Sequence, residues 1–174
     1  TGSLNSTNEH CGKWGDYINR KLLTTDGYLK LREELRYLVS ERRPEVTDIV
    51  AWAASLGDRS ENADYHFNKR LLRQIDGRIR RLTKLFEVAE QVEYHISQEG
   101  KAFFGAWVEL ENDDGNQLRL RIVGDEEVYW RKDYISLHSP MAKAILGKMV
   151  DDEALVHTPN GVKTWYIKNI NYNS

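Results

Sequence analysis

The fold is decided by residues 51–92, which read AWAASLGDRSENADYHFNKRLLRQIDGRIRRLTKLFEVAEQV. Ser55-Leu56-Gly57 ends one helical pattern, and a second runs from about residue 60 to residue 92 with apolar residues at helical spacing. These apolar residues are Phe67, Leu71, Ile75, Ile79, Leu82, Phe86 and Ala89. Because so short a turn makes two long helices neighbours, the sequence predicts an antiparallel hairpin with its turn at residues 57–62.

The helix before this turn carries an apolar stripe with the a/d spacing of a coiled coil. The stripe consists of Leu31, Leu35 and Leu38, followed by Ile49, Trp52 and Leu56. Pro44 lies between the two halves and lacks a backbone donor, so a kink and a restart of the helix are both open there. We predict a coiled-coil helical hairpin over residues 22–96, preceded by a disordered polar extension at residues 1–21.

The chain after residue 97 is expected to form a small antiparallel sheet with one short helix. Residues 118–122 alternate apolar side chains with arginines, which is typical of a strand with one wet face. Asp114-Gly115 and Asn160-Gly161 are predicted hairpin turns, and Ser139-Pro140 indicates a helix start. The sequence therefore predicts an α+β fold, with a hairpin domain followed by a sheet domain at residues 97–174.

Composition and charge exclude several classes of protein. The chain has 174 residues with 25 Lys+Arg and 27 Asp+Glu, so its net charge of −2 gives no overall preference for nucleic acid. It has no apolar run of about 18 residues and no secretion signal, so we expect a cytoplasmic protein that does not contact membranes. The single cysteine, Cys11, and five scattered histidines argue against a disulfide framework and a zinc site.

The hairpin turn carries two carboxylates, Asp58 and Glu61, and two interpretations of them stay open. As a capping box, Asp58 would cap the second helix and Glu61 would reach back to it. Alternatively, both side chains would face outward and bind a divalent cation. Two carboxylates alone are a weak Mg²⁺ site, because Mg²⁺ keeps waters and requires more oxygen ligands. Firm binding would therefore require a partner that supplies the other ligands.

A basic stripe follows the second helix on the side away from its apolar residues. It consists of His66, Arg70, Arg73, Gly77, Arg80 and Lys84, spaced alternately four and three residues apart. Residues 59–84 include 8 basic and 3 acidic residues, so a surface that binds nucleic-acid phosphates is as plausible as an ordinary solvated face. Tyr65 and Phe67, near the turn, could stack on a base or simply pack.

Several segments resemble the bacterial Gre transcript cleavage factors. The run WAASLGDRSENADY (residues 52–65) is similar to the hairpin tip of that family, and EGKAFFGAWV (99–108) with ENDDG (111–115) resembles its GreB branch. The segments RIVG (121–124) and SPMAKA (139–144) are also similar. The resemblance covers about residues 22–171 and leaves out the N-terminal extension.

This resemblance implies a fold and a function. The fold would be a coiled-coil hairpin followed by an FKBP-like domain without isomerase activity. The sheet domain would dock on bacterial RNA polymerase core, and the hairpin would enter the secondary channel. The chain would stimulate cleavage of backtracked RNA by the polymerase without being a nuclease itself. We expect it to be a monomer.

The resemblance also assigns roles to residues. Asp58 and Glu61 would be the catalytic pair, holding Mg²⁺ jointly with the polymerase and binding none tightly alone. Ser60 and Asn62 would support them. The nascent RNA 3′ end would bind to Arg70, Arg73, Arg80 and Lys84. Two alternatives are an inhibitor that blocks the secondary channel and a nucleic-acid-binding coiled coil without a polymerase partner.

Overall fold

The computed structural model describes residues 20–58 and 60–173. The chain divides into a helical unit, Asp26–Val88, and a sheet unit formed by the described residues on either side of it. The predicted α+β class and the order of the two parts are confirmed. The hairpin is shorter than the predicted range of residues 22–96, because both flanking segments join the sheet unit. The predicted disordered extension lies outside the described residues except for residues 20 and 21.

The helical unit is an antiparallel hairpin. Its elements are helix α1 (Thr25–Tyr37), a π-helical turn (Leu38–Arg42), helix α2 (Arg43–Ser55) and helix α3 (Ala63–Val88). Ion pairs join Arg78 to Glu34 and Arg43 to Asp76, both at 2.7 Å. Near the other end of the unit, the ring of Tyr28 meets the ring of Phe86 edge-on at 5.3 Å. No helix in the described part of the chain is both long and apolar enough to cross a membrane.

The π turn shifts the buried face of the first helical stretch by one residue. Pro44 has no N–H, and the preceding Arg43 N–H bonds to Leu38 O, five residues back. A π turn holds one residue more than an α turn, so the inward positions after it move one place along the chain. Val46 and Ala53 are buried, whereas Trp52 is exposed. The predicted seam through Trp52 and Leu56 is therefore wrong. Near Pro44, where a kink and a restart of the helix were both open, the structure has a π turn within continuous helix.

The sheet unit contains a five-stranded sheet, whose strands are β3 (Trp107–Asn112), β4 (Gln117–Val123), β5 (Tyr134–Ser136), β6 (Glu153–Thr158) and β7 (Gly161–Asn171). They lie side by side in the order β5-β4-β3-β7-β6. Neighbouring strands are antiparallel except for the parallel β4–β5 pair at one edge. Helix α4 (Pro140–Ile145) covers the core and begins as predicted, because the Ser139 hydroxyl accepts a hydrogen bond from Ala142 N at 3.2 Å. Both predicted hairpin turns are confirmed, with Gly115 and Gly161 at positive φ.

Two short strands, β1 (Leu22–Thr24) and β2 (Glu90–Val92), pair in parallel and explain the corrected boundary. The fully buried Glu127 carboxyl accepts hydrogen bonds from Thr24 N at 3.1 Å, from Gly124 N at 2.8 Å and from the Thr24 hydroxyl. A Cβ at Gly124 would lie 2.0 Å from Leu22 O. Backbone contact and buried hydrogen bonds therefore fix β1 on the sheet unit.

Candidate functional site

The hairpin turn is closed by Asn62. Helix α2 ends where Leu56 N donates to Ala53 O at 3.2 Å, and Gly57 follows with φ of +103°. Asn62 Nδ2 donates to the same Ala53 carbonyl at 2.7 Å, and Asn62 Oδ1 accepts from Tyr65 N at 3.0 Å. One side chain thus joins the end of α2 to the start of α3 and satisfies an otherwise unpaired N–H of the first helical turn.

The capping-box interpretation of the two carboxylates is wrong. Helix α3 begins at Ala63, so its N-cap is Asn62 and Asp58 lies four residues too early to cap it. Asn62 is both the cap of α3 and the link to α2, and its support of the two carboxylates stays a prediction. The signal in the sequence was an asparagine, a strongly preferred N-cap residue, directly before a helical run.

Asp58 and Glu61 are both exposed on the turn. Asp58 Oδ1 accepts hydrogen bonds from the Ser60 hydroxyl at 2.7 Å and from Ser60 N at 3.1 Å. These bonds, the hydroxyl first, lower the pKa of the Asp58 carboxyl below its usual value, because they stabilise its charged form. Ser60 therefore orients the Asp58 carboxylate and stabilises its charged form.

The turn has the donor type of a divalent-cation site but too few ligands to complete one. Carboxylate oxygens are the ligands that Mg²⁺ prefers, and Mg²⁺ requires about six oxygens in octahedral geometry. In residues 20–58 and 60–173, no group of three or more His, Cys, Asp or Glu side chains is placed to hold a metal ion. Asp58 and Glu61 could therefore contribute to a Mg²⁺ site only with ligands from elsewhere.

The basic stripe consists of solvent-facing side chains on α3. His66, Arg70, Arg73, Arg80 and Lys84 are all exposed. Arg43 and Arg78, by contrast, are neutralised by Asp76 and Glu34 across the hairpin. Within the described residues, none of the four RNA-binding candidates forms an ion pair. The stripe thus presents uncompensated positive charge, which an ordinary mixed-sign helix surface does not.

The two aromatic residues after the turn differ in their surroundings. Tyr65 is half-buried, its ring meets that of His66 edge-on at 5.5 Å, and Lys69 Nζ lies 5.6 Å from its centroid. Phe67 was predicted to lie in the apolar seam, but it is largely exposed. On α3 its position is about 80° from the direction of buried Ile75, which places it at the edge of the seam.

Two family models match the chain, one over the region of the helical unit and the other over the region of the five-stranded sheet. Residues 21–90 match the family model "Transcription elongation factor, N-terminal", and residues 97–172 match "Transcription elongation factor, GreA/GreB, C-term". The transcription elongation factor GreB of Vibrio cholerae is 61% identical over 156 residues, which are 89% of this chain and 97% of that protein. GreB of Pseudomonas putida is 56% identical over 155 residues, 89% of this chain and 96% of that protein.

Solved structures with similarity to the chain include GreA factor homolog 1 (Gfh1) of Thermus thermophilus. It is 28% identical, with a TM-score of 0.40, and the match covers 88% of this chain and 99% of that chain. Because that TM-score is low, the assignment depends on the sequence matches, which span nearly the whole length of close relatives. The chain belongs to the GreA/GreB family of transcription elongation factors, and its similarity is to the GreB type.

Proposed function

We propose that this chain acts on bacterial RNA polymerase core by entering its secondary channel and stimulating cleavage of backtracked nascent RNA. The observation that carries the proposal is the hairpin turn, where exposed Asp58 and Glu61 are presented in a chain of the GreA/GreB family. The chain contributes ligands to a catalytic centre that belongs to the polymerase. It is therefore a stimulating factor and not a nuclease.

The two carboxylates would hold a Mg²⁺ ion jointly with the polymerase. Asp58 is suited to this role because Ser60 holds its carboxylate in place and stabilises the charged form, which is the form that binds a cation. Asn62 limits the motion of the turn through its bonds to Ala53 and Tyr65, so the carboxylates reach the polymerase already oriented. When bound, such an ion supplies an activated water and charge stabilisation for phosphodiester hydrolysis.

The basic stripe would hold the extruded 3′ segment of the RNA. Phosphates attract uncompensated arginine and lysine side chains, and Arg70, Arg73, Arg80 and Lys84 are exposed along one side of the helix that follows the turn. Neutralising Arg70, Arg73 and Arg80 together should weaken crosslinking of the backtracked RNA to the hairpin. Unchanged crosslinking would show that the stripe is only a solvated face.

The decisive experiment measures release of RNA 3′ fragments from purified, backtracked elongation complexes. The double variant Asp58→Asn/Glu61→Gln should lose most of the stimulation at saturating concentration and still bind polymerase core. The matched control is Glu45→Gln/Asp48→Asn, an exposed acidic pair on α2 that has the same three-residue spacing. This control removes the same charge away from the turn, so it should leave cleavage unchanged.

The outcomes separate the proposal from its rivals. Full cleavage by the turn variant would rule out the metal-ligand role of Asp58 and Glu61. If the unmodified chain blocks nucleotide addition and never stimulates cleavage, it is a channel inhibitor. If it does not comigrate with polymerase core on gel filtration, the chain is a coiled-coil protein with another partner.

A further inference from the structure

Gly77 is the one residue of the basic stripe that has no side chain. It lies near the middle of α3, where glycine is less favourable than alanine because it loses more conformational freedom on folding. Packing does not require a glycine here. A Cβ at this position would meet only the ends of two arginine side chains, both at 3.8 Å, which is an ordinary contact distance. The fold of α3 therefore does not explain why the stripe contains a glycine.

Two arginine side chains converge over Gly77. Arg80 Nη2 and Arg81 Nη1 each lie 3.8 Å from the position that a Cβ would take, so the two nitrogens are no further apart than twice that distance. They converge because side chains three and four residues later in a helix point back over the preceding turn. Arg81 is about 60° around α3 from the centre of the stripe, so spacing alone did not include it.

The surroundings of Gly77 carry positive charge without a counter-charge. The residues one helical turn away from it are Arg73, Gln74, Arg80 and Arg81. All four are exposed, and none is acidic. The carboxylate of the adjacent Asp76 is paired with Arg43 at 2.7 Å. Among the residues that the structure describes, no carboxylate pairs with either converging arginine. Two guanidinium groups this close repel each other, and an anion between them replaces the repulsion with attraction.

We propose that Gly77, Arg80 and Arg81 hold one phosphate group of the extruded RNA. We call these three residues the Gly77 site, and the inference rests on the proposed function. Without a Cβ, an anion can approach the helix surface closely. The guanidinium groups then donate N–H bonds to the phosphate oxygens, a geometry that arginine fits well. Gly77 is thus a positioning residue for RNA, and it acts through shape instead of charge.

The position of the Gly77 site along α3 sets the length of RNA that can reach it. Gly77 is about 21 Å along the helix axis from Ala63, the first residue after the turn. That distance corresponds to about six nucleotides at the spacing of a stacked strand. Because the turn is presented to the catalytic centre of the polymerase, only RNA extruded by about this length or more reaches the Gly77 site.

The test measures RNA cleavage in two purified elongation complexes, one backtracked by about two nucleotides and the other by about ten, which are below and above that reach. Gly77→Ala changes no charge. In the long complex it should raise the concentration that gives half-maximal cleavage by about tenfold, as expected when a hydrogen bond to a charged group is lost. In the short complex it should change nothing. Arg81→Gln should behave in the same way.

Two controls accompany these variants. Arg32→Gln removes an exposed arginine from α1, so it should match the unmodified chain in both complexes. Thermal unfolding should show that Gly77→Ala is more stable than the unmodified chain, because alanine is the better helix former. Loss of affinity in a more stable variant cannot result from unfolding.

The other outcomes overturn the inference in distinguishable ways. If Gly77→Ala cleaves the long complex like the unmodified chain, Gly77 does not position RNA, but the proposed function stands. An equal loss in both complexes would place the effect on binding to polymerase. If the unmodified chain stimulates cleavage in neither complex, the proposed function fails as well.

A binding experiment on the free chain identifies the source of the phosphate. The ¹⁵N-labelled amide of Gly77 should shift in NMR spectra when a single-stranded RNA oligonucleotide is added. Inorganic phosphate at the same phosphate concentration should leave it unshifted, because an isolated ion lacks the neighbouring phosphates that the rest of the basic stripe attracts. A shift with inorganic phosphate and none with RNA would make a free phosphate ion the occupant and overturn the assignment to RNA.

Discussion

Replacing Asn62 by alanine removes the two hydrogen bonds that join α2 to α3 at the hairpin turn. Loss of an N-cap costs about 1 kcal/mol of stability. Loss of the 2.7 Å bond to the Ala53 carbonyl adds about 1 kcal/mol, because that bond is partly buried. We therefore expect Asn62→Ala to lower the free energy of unfolding of the helical unit by about 2 kcal/mol.

Unfolding in urea is monitored by the circular dichroism signal of the helices. RNA cleavage is measured separately, at saturating protein concentration. Asn62→Asp keeps the oxygen that accepts from Tyr65 N, but it loses the donor to Ala53 and turns a carboxylate oxygen toward that carbonyl, so it should still cost at least about 1 kcal/mol. Asn68→Ala is the matched control, because it removes one exposed bond within a helical turn and should stay within about 0.5 kcal/mol.

Activity provides the second readout of the same variant. With the link to α2 gone, Asp58 and Glu61 are less well oriented, so the saturated cleavage rate of Asn62→Ala should fall while the protein remains folded. The reasoning about the turn is refuted if Asn62→Ala is no less stable than Asn68→Ala. The reasoning about orientation is refuted if stability falls but the saturated cleavage rate does not.

Two further predictions concern Ser60 and the glycines. Ser60→Ala should raise the pKa of Asp58 toward its ordinary value in a carbon-detected NMR titration, because the hydroxyl is the largest cause of the lowered pKa. An Asp58 pKa that is unchanged in Ser60→Ala would contradict the assigned hydrogen bond. Since the pKa is lowered in the folded chain, the associated stabilisation is present at neutral pH and is lost as the pH falls through the folded-state pKa. Gly124→Ala should destabilise the sheet unit by about 3 kcal/mol, because its Cβ would lie 2.0 Å from Leu22 O. Gly77→Ala should stabilise α3 by about 1 kcal/mol, since its Cβ meets only arginine ends at 3.8 Å. In thermal unfolding, a Gly124→Ala variant that is not destabilised would contradict the first argument, and a Gly77→Ala variant that is not stabilised would contradict the second.

Much of the candidate site could be predicted from the sequence. The sequence predicts the hairpin turn at residues 57–62 because Ser55-Leu56-Gly57 ends one periodic pattern and a second begins at about residue 60. The basic stripe was identified because its spacing is a property of α3 alone. The capping-box interpretation chose the wrong residue as the cap, because Asp58 and Asn62 both have N-cap chemistry and only the first residue of α3 distinguishes them.

Local chemistry alone determined the helical hairpin, the two sheet turns and the helix start at Ser139. Each depends on periodicity within one element or on the backbone preferences of glycine and proline, which need no distant partner. Tertiary structure decided the rest. Ala53, and not the predicted Trp52, is buried in the seam. Helical spacing defines one face of a helix only while every turn is α-helical, and the π turn shifts the inward positions of all later residues by one. Likewise, Leu22–Thr24 joined the sheet unit because Glu127, more than 100 residues away along the chain, is buried against it.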